Sequence, residues 1–173
     1  MKIGILGGGQ LSKMLALAGI SMGFDFVFYF PKNEHCLHKL GKIINGSYDD
    51  FKLLNEFAQQ VDVITYENEN IPLSIIEHLM QLKPVFPDSH ALAVSQDRLI
   101  EKNFFLRLGI PTNQFIEINK AVDIKHAAKQ LDYPLIIKKR KQGYDGKGQF
   151  KFNNEKEIKE ITKNHFYNAI AEE

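Results

Sequence analysis

The chain has 173 residues, 44% of them hydrophobic, enough for a real core in one domain or one and a half. Twenty-two Lys and Arg against 21 Asp and Glu leave a net charge of +1, which argues against a general nucleic-acid or polyanion binder. A single cysteine, Cys36, excludes an internal disulfide framework and fits a reducing cytosol, and no apolar run is long enough to span a bilayer. Met1-Lys2-Ile3 leads directly into a strand and does not read as a signal peptide, so the expectation is a soluble cytoplasmic chain.

Lys2-Ile3-Gly4-Ile5-Leu6 is a short apolar strand running into Gly7-Gly8-Gly9. A helix is expected over residues 10–22, with Leu11, Met14, Leu15 and Ala18 on one face at helical spacing, stopped by Gly23. Residues 24–30 form the next strand. Strand, glycine turn, helix and strand make a right-handed βαβ unit on a parallel sheet, the start of a Rossmann-like α/β domain. A dinucleotide site is disfavoured by two details: Ser12 replaces the third fingerprint glycine, and the second strand ends at Phe30-Pro31 without an acid for a ribose hydroxyl.

The βα alternation continues with a strand at Lys42-Ile43-Ile44, a helix over 50–60 with Phe51, Leu54 and Phe57 inward, and a strand over 61–66. Glu67-Asn68-Glu69-Asn70 follows, before a helix begun at Pro72. Polar residues at the carboxyl end of a parallel strand are where open α/β sheets place their ligands. A solvated turn whose acids favour the helix N-terminus accounts for the same residues.

Composition changes after Val85-Phe86-Pro87, so a boundary is expected near residues 91–95, dividing the chain into 1–92 and 93–173. Residues 96–102 open an amphipathic helix carrying Leu99, Asn103, Leu106, Phe104 and Phe105, closed by Gly109 and Pro111. A strand over 114–118 and a helix over 121–131 lead to the most informative stretch. There an apolar run, Tyr133-Pro134-Leu135-Ile136-Ile137, precedes Lys138-Lys139-Arg140-Lys141-Gln142, and a glycine-bearing turn joins it to Phe150-Lys151-Phe152. Gly143, Gly146 and Gly148 free the backbone to turn N–H groups toward an anion, and Lys138 to Lys141 with Lys147 supply positive field. A solvated hairpin with a basic face fits composition equally well; what favours the anion reading is that Lys138 directly follows a buried-type strand. A charged helix over 155–163 and a last strand ending at Glu172 and Glu173 complete the chain.

The string Gly143-Tyr144-Asp145-Gly146-Lys147-Gly148-Gln149 resembles the phosphate loop of the ATP-grasp ligases, and most closely that of the 5-(carboxyamino)imidazole ribonucleotide synthase family. Gly7-Gly8-Gly9-Gln10-Leu11 and Thr65-Tyr66-Glu67-Asn68-Glu69-Asn70-Ile71-Pro72 are similar to two further segments of that family. The resemblance implies a Rossmann-like pre-ATP-grasp domain followed by the first part, with the nucleotide lid, of an ATP-grasp domain. It covers this whole chain but about half of the family's enzyme.

The implied activity is ATP-dependent carboxylation of aminoimidazole ribonucleotide with bicarbonate, through carboxyphosphate, in purine biosynthesis. ATP and Mg²⁺ are the implied cofactors, with no protein nucleophile and with the metal-binding acids outside this chain. ATP would be held by Arg98, Lys138, Gly143, Tyr144, Asp145, Gly146, Lys147, Gly148, Gln149, Glu172 and Glu173. The ribonucleotide would meet Gly8, Gly9, Gln10, Glu67, Tyr144, Asp145 and Lys147. A homodimer is implied, with neither nucleic acid nor membrane as partner.

Four positions depart from the family pattern: Ser12 and Lys13 stand for glycine and arginine, Asn68 for an aromatic, and Gln142 for glycine. The alternatives are another ATP-grasp ligase, of the formate-dependent glycinamide ribonucleotide transformylase or biotin carboxylase type, or a nucleotide-binding fragment without turnover. His35-Cys36-Leu37-His38 offers no convincing base or metal set.

Overall fold

The structure is a computed structural model that describes residues 1–31, 36–143, 148–161 and 167–173, without the side chains of 159–161. The chain divides into two compact units, Met1–Ala93 and Val94–Glu173.

In the first unit, strands β1 (Lys2–Leu6), β2 (Asp25–Phe30), β3 (Lys42–Asn45) and β4 (Val63–Tyr66) form a parallel sheet in the order β3-β2-β1-β4. Helices α1 (Gln10–Ile20), α2 (Phe51–Gln59) and α3 (Leu73–Met80) connect or follow them. β1 and β2 carry nearly unbroken apolar sequences because a strand covered on both faces has no polar side to keep. One core layer gathers Leu6, Val27, Tyr29, Leu54, Phe57 and Ile64, and another gathers Ile5, Ala16, Phe26, Phe28 and Leu37.

α1 buries a different face from the one its large apolar residues suggest. Leu11, Met14, Leu15 and Ala18 are exposed, whereas Ser12, Ala16 and Gly19 are buried. The reason is close approach: a Cβ on Gly19 would stand 2.4 Å from the Phe26 ring. With three phenylalanines on β2 filling the interlayer space, only small residues fit on the helix side. Phe51, expected inward, is also exposed, at the first position of α2, while Leu54 and Phe57 are buried as expected.

The boundary region is itself helical. A short helix, α4 (Ser89–Ser95), precedes α5 (Arg98–Arg107), and no residue of α5 is buried, so its expected apolar face does not form a core. Asp97 caps α5 by accepting from the Leu99 N–H at 3.0 Å.

The second unit is an antiparallel sheet ordered β5-β8-β6-β7, made of β5 (Phe115–Ile118), β6 (Leu135–Lys139), β7 (Gln149–Phe152) and β8 (Ala169–Glu172). Helices α6 (Ala121–Gln130) and α7 (Glu155–Ile161) complete it. Period-two alternation sorts the sheet's two faces. Ile118, Leu135, Ile137, Phe152, Ala169 and Ala171 face the core with Ile124, Ala127 and Ile158 of the helices. The register puts Phe115, Glu117, Ile136, Lys138, Gln149 and Glu172 on the opposite face.

Candidate functional site

Two sites emerge, one in each unit. The first lies where the strand order reverses, at the carboxyl ends of the neighbours β1 and β4, the position at which open α/β sheets leave a crevice. Gly7, Gly8, Gly9, Phe30, Pro31, Tyr48, Glu67, Asn68, Asn70 and Ile71 line a cavity of about 510 Å³ there.

Glu67 is its anchor. The carboxylate Oε2 accepts from the Gly9 N–H at 2.9 Å, the Ser12 N–H at 3.2 Å and the Ser12 hydroxyl at 2.6 Å. The start of α1, where free N–H groups and the helix dipole attract an anion, therefore already holds a side-chain anion from the turn after β4. Oε1 accepts from Asn68 Nδ2 at 3.2 Å, its one donor among the described residues.

The glycine turn is what permits this approach. A Cβ on Gly7, whose φ is +139°, would stand 2.4 Å from Glu67 Cγ, and one on Gly9 would stand 2.9 Å from Glu67 Oε1. Tyr48 adds a phenol whose pKa is pushed upward by burial first, then by the charges of Glu67 and Tyr29, so it stays a neutral donor. Of the sequence candidates, Gly8, Gly9 and Glu67 come together here. Gln10 opens α1, exposed, and is not among the lining residues. Ser12, read from sequence as a departure from a pattern, is a direct partner of Glu67.

The second site is the polar face of the antiparallel sheet. Glu172, 3% exposed, holds two ammonium groups: Lys138 Nζ lies 2.5 Å from Oε2 and Lys102 Nζ 3.2 Å from Oε1. Lys138 thus sits within β6 and is anchored there, as its position after an apolar run suggests. Glu173 is exposed, and its carbonyl accepts from Asn113 Nδ2 at 3.4 Å.

Beside this cluster, Arg140 and Asp97 pair through both carboxylate oxygens, and Arg140 Nη1 also donates to Glu117 at 2.9 Å. Burial pushes the Asp97 carboxyl up, but the Arg140 hydrogen bonds and the Leu99 N–H outweigh it and hold its pKa below the usual value. Arg140 is shifted upward in turn, chiefly by its bonds to Asp97.

Arg98 follows Asp97 directly in the chain, and Arg98 Nη2 donates to the Gly143 carbonyl at 2.8 Å, while its buried Nε has no hydrogen-bond partner among the described residues. Gly148, at φ +75°, closes the far end of the turn, its carbonyl accepting from the Lys139 N–H at 2.9 Å. The loop between these two points was expected to bring Tyr144, Asp145, Gly146 and Lys147 to the ligand; those four lie outside the described residues, as does His35 beside Cys36. Gln149 opens β7 on the Lys138 face, opposite Lys138 in register. Sequence reading missed Lys102 and Asp97, and it counted Arg140 among the cations facing an anion, whereas Arg140 is paired with Asp97 and Glu117. An Asp directly before a helix signals a cap, but nothing in the chain order pairs Asp97 with Arg140 or Lys102 with Glu172.

Among the described residues, no three His, Cys, Asp or Glu side chains gather in a way that could hold a metal ion, and no helix is long and apolar enough to cross a membrane.

Comparison with known proteins matches residues 1–96 to the ribonucleotide synthetase preATP-grasp domain and residues 103–173 to the ATP-grasp domain. The N5-carboxyaminoimidazole ribonucleotide synthase of Pseudomonas aeruginosa is 42% identical over 149 residues, 86% of this chain and 41% of that protein. That of Staphylococcus aureus strain COL is 41% identical over 159 residues, covering 91% of this chain and 42% of the relative. Among solved structures, an ADP complex of N5-carboxyaminoimidazole ribonucleotide synthetase superposes with a TM-score of 0.90 at 34% identity, over 99% of this chain and 46% of the other. The Staphylococcus aureus enzyme complexed with ADP gives 0.88 at 37% identity, over 99% and 47%. The chain thus spans less than half the length of the relatives it matches.

Proposed function

Because the chain belongs to the N5-carboxyaminoimidazole ribonucleotide synthase family of ATP-grasp ligases, we propose that it contributes the amine-facing pocket and the nucleotide lid to carboxylation of 5-aminoimidazole ribonucleotide. In this reading ATP phosphorylates bicarbonate to carboxyphosphate, releasing ADP. The 5-amino group then attacks the carboxyl carbon, or the carbon dioxide released from it, and phosphate leaves. The products are 5-(carboxyamino)imidazole ribonucleotide, ADP and phosphate.

The observation that carries the proposal is the hold on Glu67. Three donors fix Oε2, so the carboxylate is oriented before substrate arrives and Oε1 is the oxygen left to accept from an amine N–H. Gly8 and Gly9 contribute backbone beside it, and Gln10 stands at the start of α1. Orientation of this kind lowers the entropy lost on reaching a reactive geometry.

On the other unit, Lys138 and Arg98 would meet the phosphates of ATP, with the backbone from Gly143 to Gln149 closing over them. Tyr144, Asp145 and Lys147 would reach both nucleotide and ribonucleotide. Carboxyphosphate is destroyed by water, so a loop that closes over it serves the chemistry. Glu172 and Glu173 stand at the end of β8, where adenine and ribose would bind. Mg²⁺ belongs to the reading as a charge-neutralising ion on the phosphates. The described residues offer no set of ligands for it.

A cytoplasmic homodimer fits the same reading. Support for the dimer is the exposed apolar surface of α1, where Leu11, Met14, Leu15 and Leu17 are each more than two-fifths exposed; sedimentation of the chain tests it. In a second reading this chain binds nucleotide without turning over by itself, which predicts ADP release from an extended protein alone.

The test is ADP release from Mg²⁺-ATP, with aminoimidazole ribonucleotide and bicarbonate omitted in turn, on this chain and on a C-terminally extended one. Turnover by the extended protein only when both are present supports the proposal. ADP release with formate and glycinamide ribonucleotide instead, or with neither pair, overturns it.

A further inference from the structure

Two ammonium groups share one buried carboxylate on the polar face of the second sheet. Glu172 faces Lys138 through Oε2 and Lys102 through Oε1. A single ion pair would cancel; two ammonium groups against one carboxylate leave one positive charge. The two lysines are held differently. Lys102 reaches in from α5, donates to Thr112 Oγ1 at 2.8 Å and lies over the Phe115 ring, 5.4 Å from its centroid. Its side chain is 13% exposed against 24% for Lys138, so Lys102 is the more enclosed and Lys138 the more open to a ligand.

We propose that Lys102, which contacts no ligand in the reading above, is a positioning residue that sets the charge of this cluster: by matching Glu172 it leaves the charge of Lys138 available to a polyphosphate. The inference rests on the ATP-binding reading and extends it by one residue. Without Lys102, Lys138 and Glu172 would form a closed neutral pair. An incoming phosphate would then have to compete with a carboxylate for the same ammonium and would be repelled by that carboxylate at close range. With Lys102 present, the phosphate meets a cluster of net positive charge whose geometry is already set.

A purely structural role, tying α5 to β8, makes a different prediction. Loss of either end of the Lys102–Glu172 contact would then weaken ligand binding in the same direction. Charge setting predicts opposite signs, because removing the carboxylate raises the positive charge while removing Lys102 lowers it.

The experiment is calorimetric titration of inorganic tripolyphosphate into the full 173-residue chain at fixed ionic strength, with displacement by ADP recorded on the unaltered protein. Lys102→Met is expected to weaken tripolyphosphate about tenfold, the order set by one charge a short distance away in a partly exposed site. Lys102→Arg should restore affinity to within about threefold, since it returns the charge with altered geometry. Glu172→Gln, nearly isosteric, should tighten binding. Lys102→Gln, which keeps a polar contact to Thr112, repeats the test if the methionine variant does not fold. If the unaltered chain binds neither tripolyphosphate nor ADP, the ATP-binding reading fails and this inference with it. If it binds both, but neutral Lys102 variants match it or Glu172→Gln weakens binding alongside them, charge setting is overturned while the ATP reading stands.

Discussion

Asp97 and Arg140 meet across 43 residues of sequence: the guanidinium Nε donates to Oδ1 and Oδ2 at 2.9 and 3.1 Å, and Nη2 to Oδ2 at 2.8 Å. The backbone seconds the side chains, because the Arg98 N–H donates to the Arg140 carbonyl at 3.0 Å. The start of α5 is thereby tied to the end of β6. That tie sets Arg98 where its guanidinium reaches Gly143, at the root of the glycine loop.

Asp97→Ala should therefore cost about 3 kcal/mol, the low end for breaking one partner of a buried pair, since the Arg140 side chain is 20% exposed and can recruit water. Part of the loss is the α5 cap. Urea unfolding reads the total. Hydrogen exchange should localise the change to residues 94–173 and leave 1–93 unaltered.

The same pair gives the second unit an acid-sensitive stability. The carboxyl of Asp97 has a folded-state pKa lowered from 3.8, the net of burial raising it and of Arg140 and backbone bonds lowering it further. A depressed acid contributes stability fully present above its unfolded value and lost as pH falls through its folded value. Its contribution should be flat above about pH 5 and decline as pH falls below the unfolded value of 3.8. Asp97→Asn should start lower and fall less steeply over that acid window; equal slopes for the two proteins would refute the assignment.

Ser12→Ala removes a 2.6 Å hydroxyl bond to a carboxylate from a fully buried site. The expected loss is about 1.5–3 kcal/mol, the range for hydrogen bonds to charged groups. In a Glu67→Gln background the same substitution should cost less, and a double-mutant cycle by urea unfolding measures the difference.

Gly9→Ala places a methyl group 2.9 Å from Glu67 Oε1 and 3.2 Å from Oε2, at a backbone φ of −90° that alanine adopts freely. The cost should come from the displaced carboxylate and not from the turn. It should accordingly be about 1–3 kcal/mol, in the range for steric overpacking, and nearly vanish when Glu67 is alanine. An equal cost in both backgrounds would assign it to the backbone instead.

Gln142 occupies the left-handed region at φ +59°, where a side chain is strained and glycine is not. Gln142→Gly should be neutral to stabilising by up to about 1 kcal/mol, the relief being partly offset by glycine's greater freedom when unfolded. Thermal unfolding measures it.

Much of this architecture is legible in the chain order. The strand, glycine turn and helix from Lys2 to Ile20, the βα alternation through Tyr66 and the hairpin around Lys138 follow from local periodicity and from where glycine and proline interrupt it. The ATP-grasp assignment followed from a seven-residue string whose residue types are tied to one phosphate loop. These signals are short-range, and chain order carries them intact.

What the tertiary structure decided was which of several chemically similar faces is buried and which charges meet. The α1 sequence offers Leu11, Met14 and Leu15 as a core face, yet β2 presents Phe26, Phe28 and Phe30, and those rings leave room for small residues such as Ala16 and Gly19, with Ser12 buried on the same side of the helix. Ser12, once buried there, becomes the donor that holds Glu67. Likewise Lys102 and Lys138 are two lysines among many until β8 inserts between β5 and β6 and carries Glu172 to both. Hydrophobicity and charge are properties of single residues and can be read in order along a chain. Steric complementarity and ion pairing belong to pairs that are distant in sequence, and only packing brings them together.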